Sequence, residues 1–222
     1  MLSLSKHECS RSSNTCGNTV TRLSMHLPDG YTDVPPGKLA AVVTSLEMLA
    51  PASLRPAPAG PWTLRRVERT QLDWYRDLYD RIGRDWLWVS RLKMSDADLM
   101  AILHSPAVQV HTLAVGGCDE GLLELDFRAP DSCELAFFGV TPALVGRGAG
   151  RFLMNRAMEI AWSRPVRRFW VHTCTLDHPA ALDFYRRSGF QAFRRQIEVI
   201  DDPRLSGLLP RDAAPQIPLI GA

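Results

Sequence analysis

The apolar positions in the middle of the chain recur with a period of two, which is the spacing of a β-strand. In the second of three such runs they alternate with Glu124, Asp126 and Arg128, the pattern of a half-buried strand. Gly116-Gly117 and Pro130-Asp131 separate the runs, and connections this short predict an antiparallel meander. The runs are residues 108–115, 122–127 and 134–140.

Elsewhere the apolar positions recur every three or four residues, which is the period of an amphipathic helix. Ser95 precedes one stretch and predicts an N-terminal cap, because its hydroxyl can accept a hydrogen bond from an amide of the first turn. Pro179 opens another stretch, and Gly189 closes it in the usual C-terminal role. The predicted helices are residues 37–49, 71–81, 96–103, 150–162 and 179–187.

Further strand-like runs at residues 62–67, 168–175 and 190–200 complete the pattern. A strand, a helix and a strand follow one another from residue 134 to 175, and such a crossover pairs its two strands in parallel. The expected fold is therefore of the α/β (α+β) class. It has a single mixed, largely antiparallel sheet with a parallel strand-helix-strand crossover and helices on both faces.

Composition divides the chain into four segments. Residues 1–24 are rich in Ser and Thr and are expected to be a disordered extension, with Met25 as an alternative start. Residues 25–61 hold the predicted helix at 37–49, which would dock on the main domain, and a proline-rich linker. Residues 62–200 form the main domain, and residues 201–222 form a proline-rich tail across the surface.

Charge and cysteine content narrow the function classes. The formal net charge of +2 over 222 residues is too small to indicate a nucleic-acid partner. Charged residues interrupt every apolar stretch before about 18 residues, so no membrane span is expected. The five cysteines show no C-x-x-C pair and no zinc-ligand spacing. We therefore expect no disulfide framework and no metal site, and free thiols favour the cytoplasm.

A glycine-rich loop between a strand and a helix is the strongest local signal. Its glycines let the backbone turn sharply and present amides to an anion at a helix start, and two arginines stand ready for phosphate oxygens. It lacks the Lys and Ser or Thr of a Walker loop and the position of a Rossmann fingerprint. A purely structural turn is the alternative. The loop comprises Val145, Gly146, Arg147, Gly148, Ala149, Gly150 and Arg151.

Three stretches resemble the acyl-CoA-binding core of the GNAT superfamily of N-acyltransferases. In that family the loop has the form Arg/Gln-x-x-Gly-x-Gly/Ala; Gly148 and Gly150 match it, and Val145 stands where Arg or Gln is usual. Family members carry Asn seven residues before a Tyr, and here these places are held by His178 and Tyr185. The resemblance covers about residues 62–200. The stretches are ELAFFGVTP at 134–142, VGRGAG at 145–150 and DHPAALDFYRRSGF at 177–190.

The resemblance implies acetyl-CoA as a co-substrate, with its pyrophosphate on the amides and arginines of the glycine-rich loop. The pantetheine arm would lie in a V-shaped gap between the strand that ends at Val140 and the strand at 168–175, on main-chain groups of Phe138 and Val140. Gly139 suits a β-bulge at that point. His178 would bind the same arm, or else would only start its helix.

The resemblance also implies that Tyr185 protonates the departing thiol, with aromatic packing as the alternative. Reference pKa values of about 10 for Tyr and 8.5 for a thiol require either concerted transfer or a lowered Tyr pKa. Glu134 is the candidate base for the amine, directly or through water, because simple alternation places it on the strand face of Phe138. A solvated strand-end carboxylate is the alternative, and His111 and His172 are rivals.

The expected function is transfer of the acetyl group to a primary amine by direct attack in a ternary complex. The acceptor is a small-molecule or peptide amine of open identity. Tyr75, Trp86 and Trp88 lie where the family builds the acceptor side of its cleft, with helix packing as their alternative role. A catalytically degenerate acyl-CoA-binding or partner-binding module of the same fold is the alternative function, and a homodimer is left open.

Overall fold

The computed structural model describes Leu27 and residues 29–221, and its strands form one seven-stranded sheet in the order β2-β3-β4-β5-β6-β1-β7. The β5–β6 pair is parallel and the other neighbouring pairs are antiparallel. The predicted mixed, largely antiparallel sheet is therefore confirmed. Its strands are β1 (Lys38–Met48), β2 (Trp62–Arg66), β3 (Val108–Val115), β4 (Cys118–Asp126), β5 (Ser132–Val140), β6 (Arg168–Cys174) and β7 (Gln191–Asp201).

Helices cover both faces of this sheet, as predicted. Helix α4 makes the crossover from β5 to β6, and Ser95 caps α3 by accepting a hydrogen bond from the Asp98 amide at 3.2 Å. The expectations for residues 1–24 and for Met25 lie outside the described residues. Among those described, no helix has the length and apolarity that a membrane crossing requires. The helices are α1 (Leu72–Gly83), α2 (Ser90–Lys93), α3 (Asp96–Leu103), α4 (Ala149–Trp162) and α5 (Ala181–Arg187).

The prediction of an amphipathic helix at residues 37–49 is wrong, because this segment forms strand β1. β1 lies between β6 and β7 and pairs antiparallel with both, from Lys38 opposite Asp201 to Met48 opposite Phe169. A strand inside a sheet can be apolar on both faces, so its apolar spacing need not show the period of two. The segment is therefore an internal part of the sheet.

The C-terminal tail packs on a second, smaller apolar cluster that includes Leu39 of β1 and Leu209. Arg204 is buried there and donates to the Asp202 carboxylate at 2.7 Å and to the carbonyl oxygen of Ile217 at 2.8 Å. The tail thus contributes to the packing around β1 and β7.

β4 is buried on both faces, which corrects the half-buried strand expected from its alternating charges. Glu124 is fully buried, accepts a hydrogen bond from the Tyr75 hydroxyl at 2.5 Å and forms an ion pair with Arg91 at 2.5 Å. Asp126 is buried as well and pairs with Arg128 at 2.7 Å. Because each carboxylate has a cationic partner, charged side chains can occupy buried positions on this strand.

β5 contains a bulge that reverses the alternation of its side chains. Glu124 lies opposite Phe137, whereas the next residue of β4 lies opposite Leu135, so that Ala136 is an extra residue in β5. The bulge predicted at Gly139 therefore lies three residues earlier. A bulge of this kind bends its strand and disrupts the local pairing.

The bulge places Glu134 and Phe138 on opposite faces of the sheet. Residues directly opposite each other in an antiparallel pair share a face. Glu134 lies opposite Asp126, and Phe138 lies opposite Leu123, which projects from the other face of β4. The expectation that Glu134 and Phe138 share a face is thus wrong. We call the two sides the Glu134 face and the Phe138 face.

Candidate active site

A gap opens between β5 and β6 where the sheet stops pairing. The two strands are in register at only three positions, from Ser132 opposite Arg168 to Glu134 opposite Trp170. Beyond the bulge, β5 pairs with β4 alone and β6 pairs with β1 alone. The V-shaped gap expected between these strands is therefore present, and the bulge at Ala136 bends β5 away at its apex.

Backbone groups of Phe138 and Val140 face this gap. The amide of Thr141 donates to the carbonyl oxygen of Glu120, at the β4 side, at 2.9 Å. Successive residues of a strand direct their backbone groups to opposite sides. The amides and carbonyls of Val140 and Phe138 therefore point away from β4, where an extended ligand can hydrogen-bond to them as an additional strand would.

The glycine-rich loop presents unpaired amides at the start of α4. Gly146 and Gly148 have φ angles of 76° and 86°, which glycine adopts without strain. The amides of Arg151 and Phe152 both donate to the carbonyl oxygen of Gly148. The amides of Val145 and Arg147 also have acceptors. Among the described residues, four further amides of the loop find no acceptor, and such amides at a helix start bind anions. They belong to Gly146, Gly148, Ala149 and Gly150.

Three arginines lie together beside this loop. Arg151 donates to the Ser188 hydroxyl at 2.9 Å and lies 4.3 Å from the ring centre of Phe184. Burial, and then the charges of Arg55 and Arg187, lower the pKa of Arg151. Within the described part of the chain, none of the three arginines forms an ion pair. A cluster of cations without counter-ions suits the phosphate groups of acyl-CoA.

Arg55 belongs to residues 50–61, which we call the proline-rich segment, and which packs across the loop and the end of α5. Asn155 of α4 donates to the carbonyl oxygen of Arg55 at 2.7 Å. A Cβ atom on Gly148 would lie 2.1 Å from Pro58, and one on Gly189 would lie 2.4 Å from Ala52. The glycines thus allow the segment to approach closely. No motif in the sequence signals Arg55, because its contribution depends on this packing.

Tyr185 lies on the Phe138 face with its side chain fully buried. Its ring centre is 6.4 Å from that of Phe138 and 5.7 Å from that of Phe190. The hydroxyl has no hydrogen-bond partner among the described residues. Burial, and then the charge of Asp177, raise the pKa of Tyr185 well above its usual value. The shift is therefore away from the pKa of a thiol, opposite to the lowered Tyr pKa that is one of the two expectations.

His178 starts the turn into α5. Its Nδ1 accepts a hydrogen bond from the Ala180 amide at 3.0 Å, its carbonyl oxygen accepts one from the Ala181 amide, and its ring lies 5.2 Å from that of Trp86. Burial lowers the pKa of His178. The contacts are those of a helix-entry residue, and only Nε2 is left for a ligand.

Glu134 lines a cavity of about 830 Å³ on its face of the sheet, and we call it the Glu134 cavity. Its carboxylate oxygen lies 3.9 Å from Nδ1 of His172, and both side chains are about 10% exposed. His111 does not line this cavity, and burial, then the charge of Arg66, lowers its pKa to about 4. The structure thus brings Glu134 and His172 together and leaves His111 elsewhere.

The aromatic residues expected near the acceptor divide into two groups. Tyr75 and Trp88 are buried in the main core, where the Tyr75 hydroxyl bonds to Glu124. Trp86 is half-buried against His178. Tyr75 and Trp88 therefore pack helices rather than line the cavity. No cluster of three or more metal-ligating side chains occurs among residues 29–221.

Comparison with known proteins places this arrangement in a family. Residues 73–190, more than half of the chain, match the model of the acetyltransferase (GNAT) family. No curated protein sequence matches the chain at a significant level.

Solved structures share the fold at low sequence identity. A functionally unknown conserved protein from Staphylococcus epidermidis superposes with a TM-score of 0.52 at 13% identity, over 75% of this chain and 64% of its own. A putative GNAT acetyltransferase from Novosphingobium aromaticivorans gives 0.50 at 16%, over 77% and 69%. A GCN5-related N-acetyltransferase from Sphaerobacter thermophilus gives 0.52 at 17%, over 75% and 52%. The chain thus spans less than two thirds of the first and third of these proteins.

Proposed function

The chain belongs to the GNAT family of acetyltransferases, and on that premise we propose that it transfers the acetyl group of acetyl-CoA to a primary amine by direct attack in a ternary complex. One observation carries this proposal: Tyr185 and Glu134 lie on opposite faces of the sheet, beside the same gap. The donor has to reach the leaving sulfur and the base has to reach the entering amine nitrogen, and these two atoms bond to different positions around the acyl carbon. The bulge at Ala136 produces that separation.

Acetyl-CoA supplies an activated acetyl thioester. Residues of this chain suit each part of the molecule, from the pyrophosphate to the thioester sulfur. The unpaired amides of Gly146, Gly148, Ala149 and Gly150 suit the pyrophosphate, together with the side chains of Arg147 and Arg151. Backbone groups of Phe138 and Val140 suit the amides of the pantetheine arm. The buried, unpaired hydroxyl of Tyr185 suits the thioester sulfur, which would provide a partner for an otherwise unsatisfied polar group.

The raised pKa of Tyr185 supports proton transfer in concert with the chemical step. Because burial disfavours the phenolate, we propose that Tyr185 gives its proton to the thiolate as the C–S bond breaks. Glu134, beside His172, takes the proton of the amine, directly or through water. An amine with a reference pKa of about 10.4 is almost fully protonated at pH 7, a deficit of roughly 4–5 kcal/mol that a positioned base helps to offset.

The proposal includes a cytoplasmic location, because an odd number of cysteines without a pairing pattern suits a reducing compartment. The acceptor is a small-molecule or peptide amine. The function is tested with a broad panel of amines and acetyl-CoA, by following the release of free thiol, with Tyr185→Phe as the control for enzyme-dependent turnover. Binding of acetyl-CoA without thiol release on any amine would favour the catalytically degenerate module instead.

A further inference from the structure

The Glu134 cavity extends across five strands and has two chemically different ends. At one end, Glu134 of β5 and Asp126 of β4 are cross-strand partners. At the other end, Arg194 and Gln196 project from β7. The cavity therefore exceeds what an isolated amino group needs, and its far end can recognise a second group on the acceptor.

The positive charges of the lining differ in how they are balanced. Arg128 forms an ion pair with Asp126 at 2.7 Å, and Arg168 forms one with Glu47 at 2.6 Å. Arg194 forms no ion pair with any of the described residues. Glu198 lies on the same face of β7 but four residues along, at roughly 13 Å between Cα atoms. Of these three arginines, Arg194 is thus the one available to bind an anionic group of a ligand.

The strand register places Arg194 level with the amine end. Ser45 of β1 lies opposite His172 on one side and opposite Arg194 on the other. The three residues form a row across β6, β1 and β7, and two strand spacings put the Cα atoms of His172 and Arg194 roughly 10 Å apart. Ser45 also lines the cavity between them. A single small molecule can therefore contact both ends.

A wall of stacked side chains borders this row. The guanidinium of Arg168 lies 4.5 Å from the ring centre of Phe193 and 5.6 Å from that of Trp170. Stacked between two rings and paired with a carboxylate, Arg168 keeps a fixed position. The cavity thus has a shaped apolar side and a polar floor, which is the usual construction of a small-molecule site.

We propose that the acceptor is an amine that also carries a carboxylate, with its amine at Glu134 and His172 and its carboxylate on Arg194. This inference rests on the proposed function and deepens it, because it names the substrate class. The row geometry favours several bonds between the two groups, as in an ω-amino acid, over the short separation of an α-amino acid.

The test compares acceptors that differ only in the carboxylate. Two matched pairs serve: 6-aminohexanoate with 6-aminohexanamide, and L-alanine with L-alaninamide. In the wild-type protein we expect kcat/KM for 6-aminohexanoate to exceed that for its amide by about two- to fivefold, because Arg194 is exposed and exposed ion pairs are weak. Arg194→Ala should bring the ratio close to one. Arg195→Ala is the matched control, because Arg195 is exposed on β7 and does not line the cavity.

Calorimetry of the same acceptors with the CoA-bound protein gives a readout that does not need turnover. The inference predicts tighter binding of the carboxylates to the wild type and to Arg195→Ala, and equal binding of carboxylate and amide to Arg194→Ala. Turnover of amides as readily as carboxylates, or no binding of either carboxylate, would overturn the inference. A different result would contradict the proposed function: no free thiol released from acetyl-CoA with any amine of the broad panel.

Discussion

On the Phe138 face of the gap, Tyr185 lies fully buried among aromatic rings, whereas on the Glu134 face an open cavity is lined by carboxylates, arginines and a histidine. The buried side keeps a proton on a weak acid, because desolvation disfavours the phenolate. The open side can admit a charged amine and keep it hydrated until it reaches the gap. In the proposed mechanism, one break in the sheet would therefore separate two proton transfers that need opposite environments.

The largest effect is expected from the buried side. Tyr185→Phe keeps the ring and its packing and removes only the hydroxyl, so acetyl-CoA affinity should stay near that of the wild type. Turnover should fall by about 10²–10⁴-fold, or about 3–5 kcal/mol on the barrier, which is typical for loss of a general acid. Steady-state kinetics with a productive amine, together with calorimetric binding of acetyl-CoA, measures both. Wild-type turnover in the variant would remove Tyr185 from the mechanism.

The glycine-rich loop and the arginines beside it form the region where we propose that acetyl-CoA binds, and we call this region the cofactor side. Binding measurements test it without the need for turnover. Acetyl-CoA should raise the melting temperature of the wild type by an amount set by its concentration over its Kd. Gly148→Asp places a negative charge at the phosphate site and a side chain against Pro58. Like charges brought together cost several kcal/mol, so affinity should fall by at least roughly 10²-fold and the thermal shift should disappear.

A matched control separates this loss from backbone strain. Gly117 has the same φ of 86° as Gly148 but no neighbouring atom where a Cβ would stand, and it lies in the turn between β3 and β4. Gly117→Asp introduces the same residue at the same positive φ, and it should keep the full response to acetyl-CoA. A folded Gly148→Asp variant with that same response would show that the loop does not bind the phosphates.

The pH dependence of turnover tests which residue on the open side, the Glu134 face, acts as the base. Glu134→Gln removes the base but not the hydrogen-bonding shape, and it should lower turnover by about 10²-fold near pH 7. The loss should shrink as the pH rises toward the pKa of the amine, because more of the acceptor is then already neutral. Rate profiles against pH for Glu134→Gln and His172→Gln identify the base. A larger loss in the histidine variant, with no pH rescue in the glutamate variant, would assign the role to His172.

Several features of the fold and of the candidate site could be predicted from the local sequence, because they depend on short-range signals. The bounds of β3, the cap at Ser95 and the parallel crossover through α4 follow from periodicity, capping chemistry and connection length. The glycine-rich loop also lies between a strand and a helix, as its position in the sequence predicts, and the roles of the loop and of Tyr185 stay predictions. Each of these features needs only a few neighbouring residues to specify it.

The features that could not be predicted depend on contacts between distant segments. β1 resembles a helix in its apolar spacing because apolar side chains occur on both of its faces, and only β6 and β7 reveal its role. The bulge at Ala136 is visible only in the register of β5 against β4. Alternation alone therefore assigned Glu134 to the wrong face. Arg55 and Arg194 gain their roles from packing and from strand order, which no local pattern encodes.

The smallest effect is expected from the proline-rich segment, whose Arg55 adds a cation to the cofactor side from outside the family-matched residues. Exposed ion pairs contribute about 0.2–1 kcal/mol, so Arg55→Ala should weaken acetyl-CoA binding by only about two- to fivefold, with the effect shrinking at high salt. Arg69→Ala is the matched control, because Arg69 is exposed in the loop before α1 and should leave affinity unchanged. Calorimetry at low and high ionic strength measures the difference. If the two variants have equal affinities at low salt, the proline-rich segment serves only to pack against Gly148 and Asn155, and the cofactor side ends at Arg151 and Arg187.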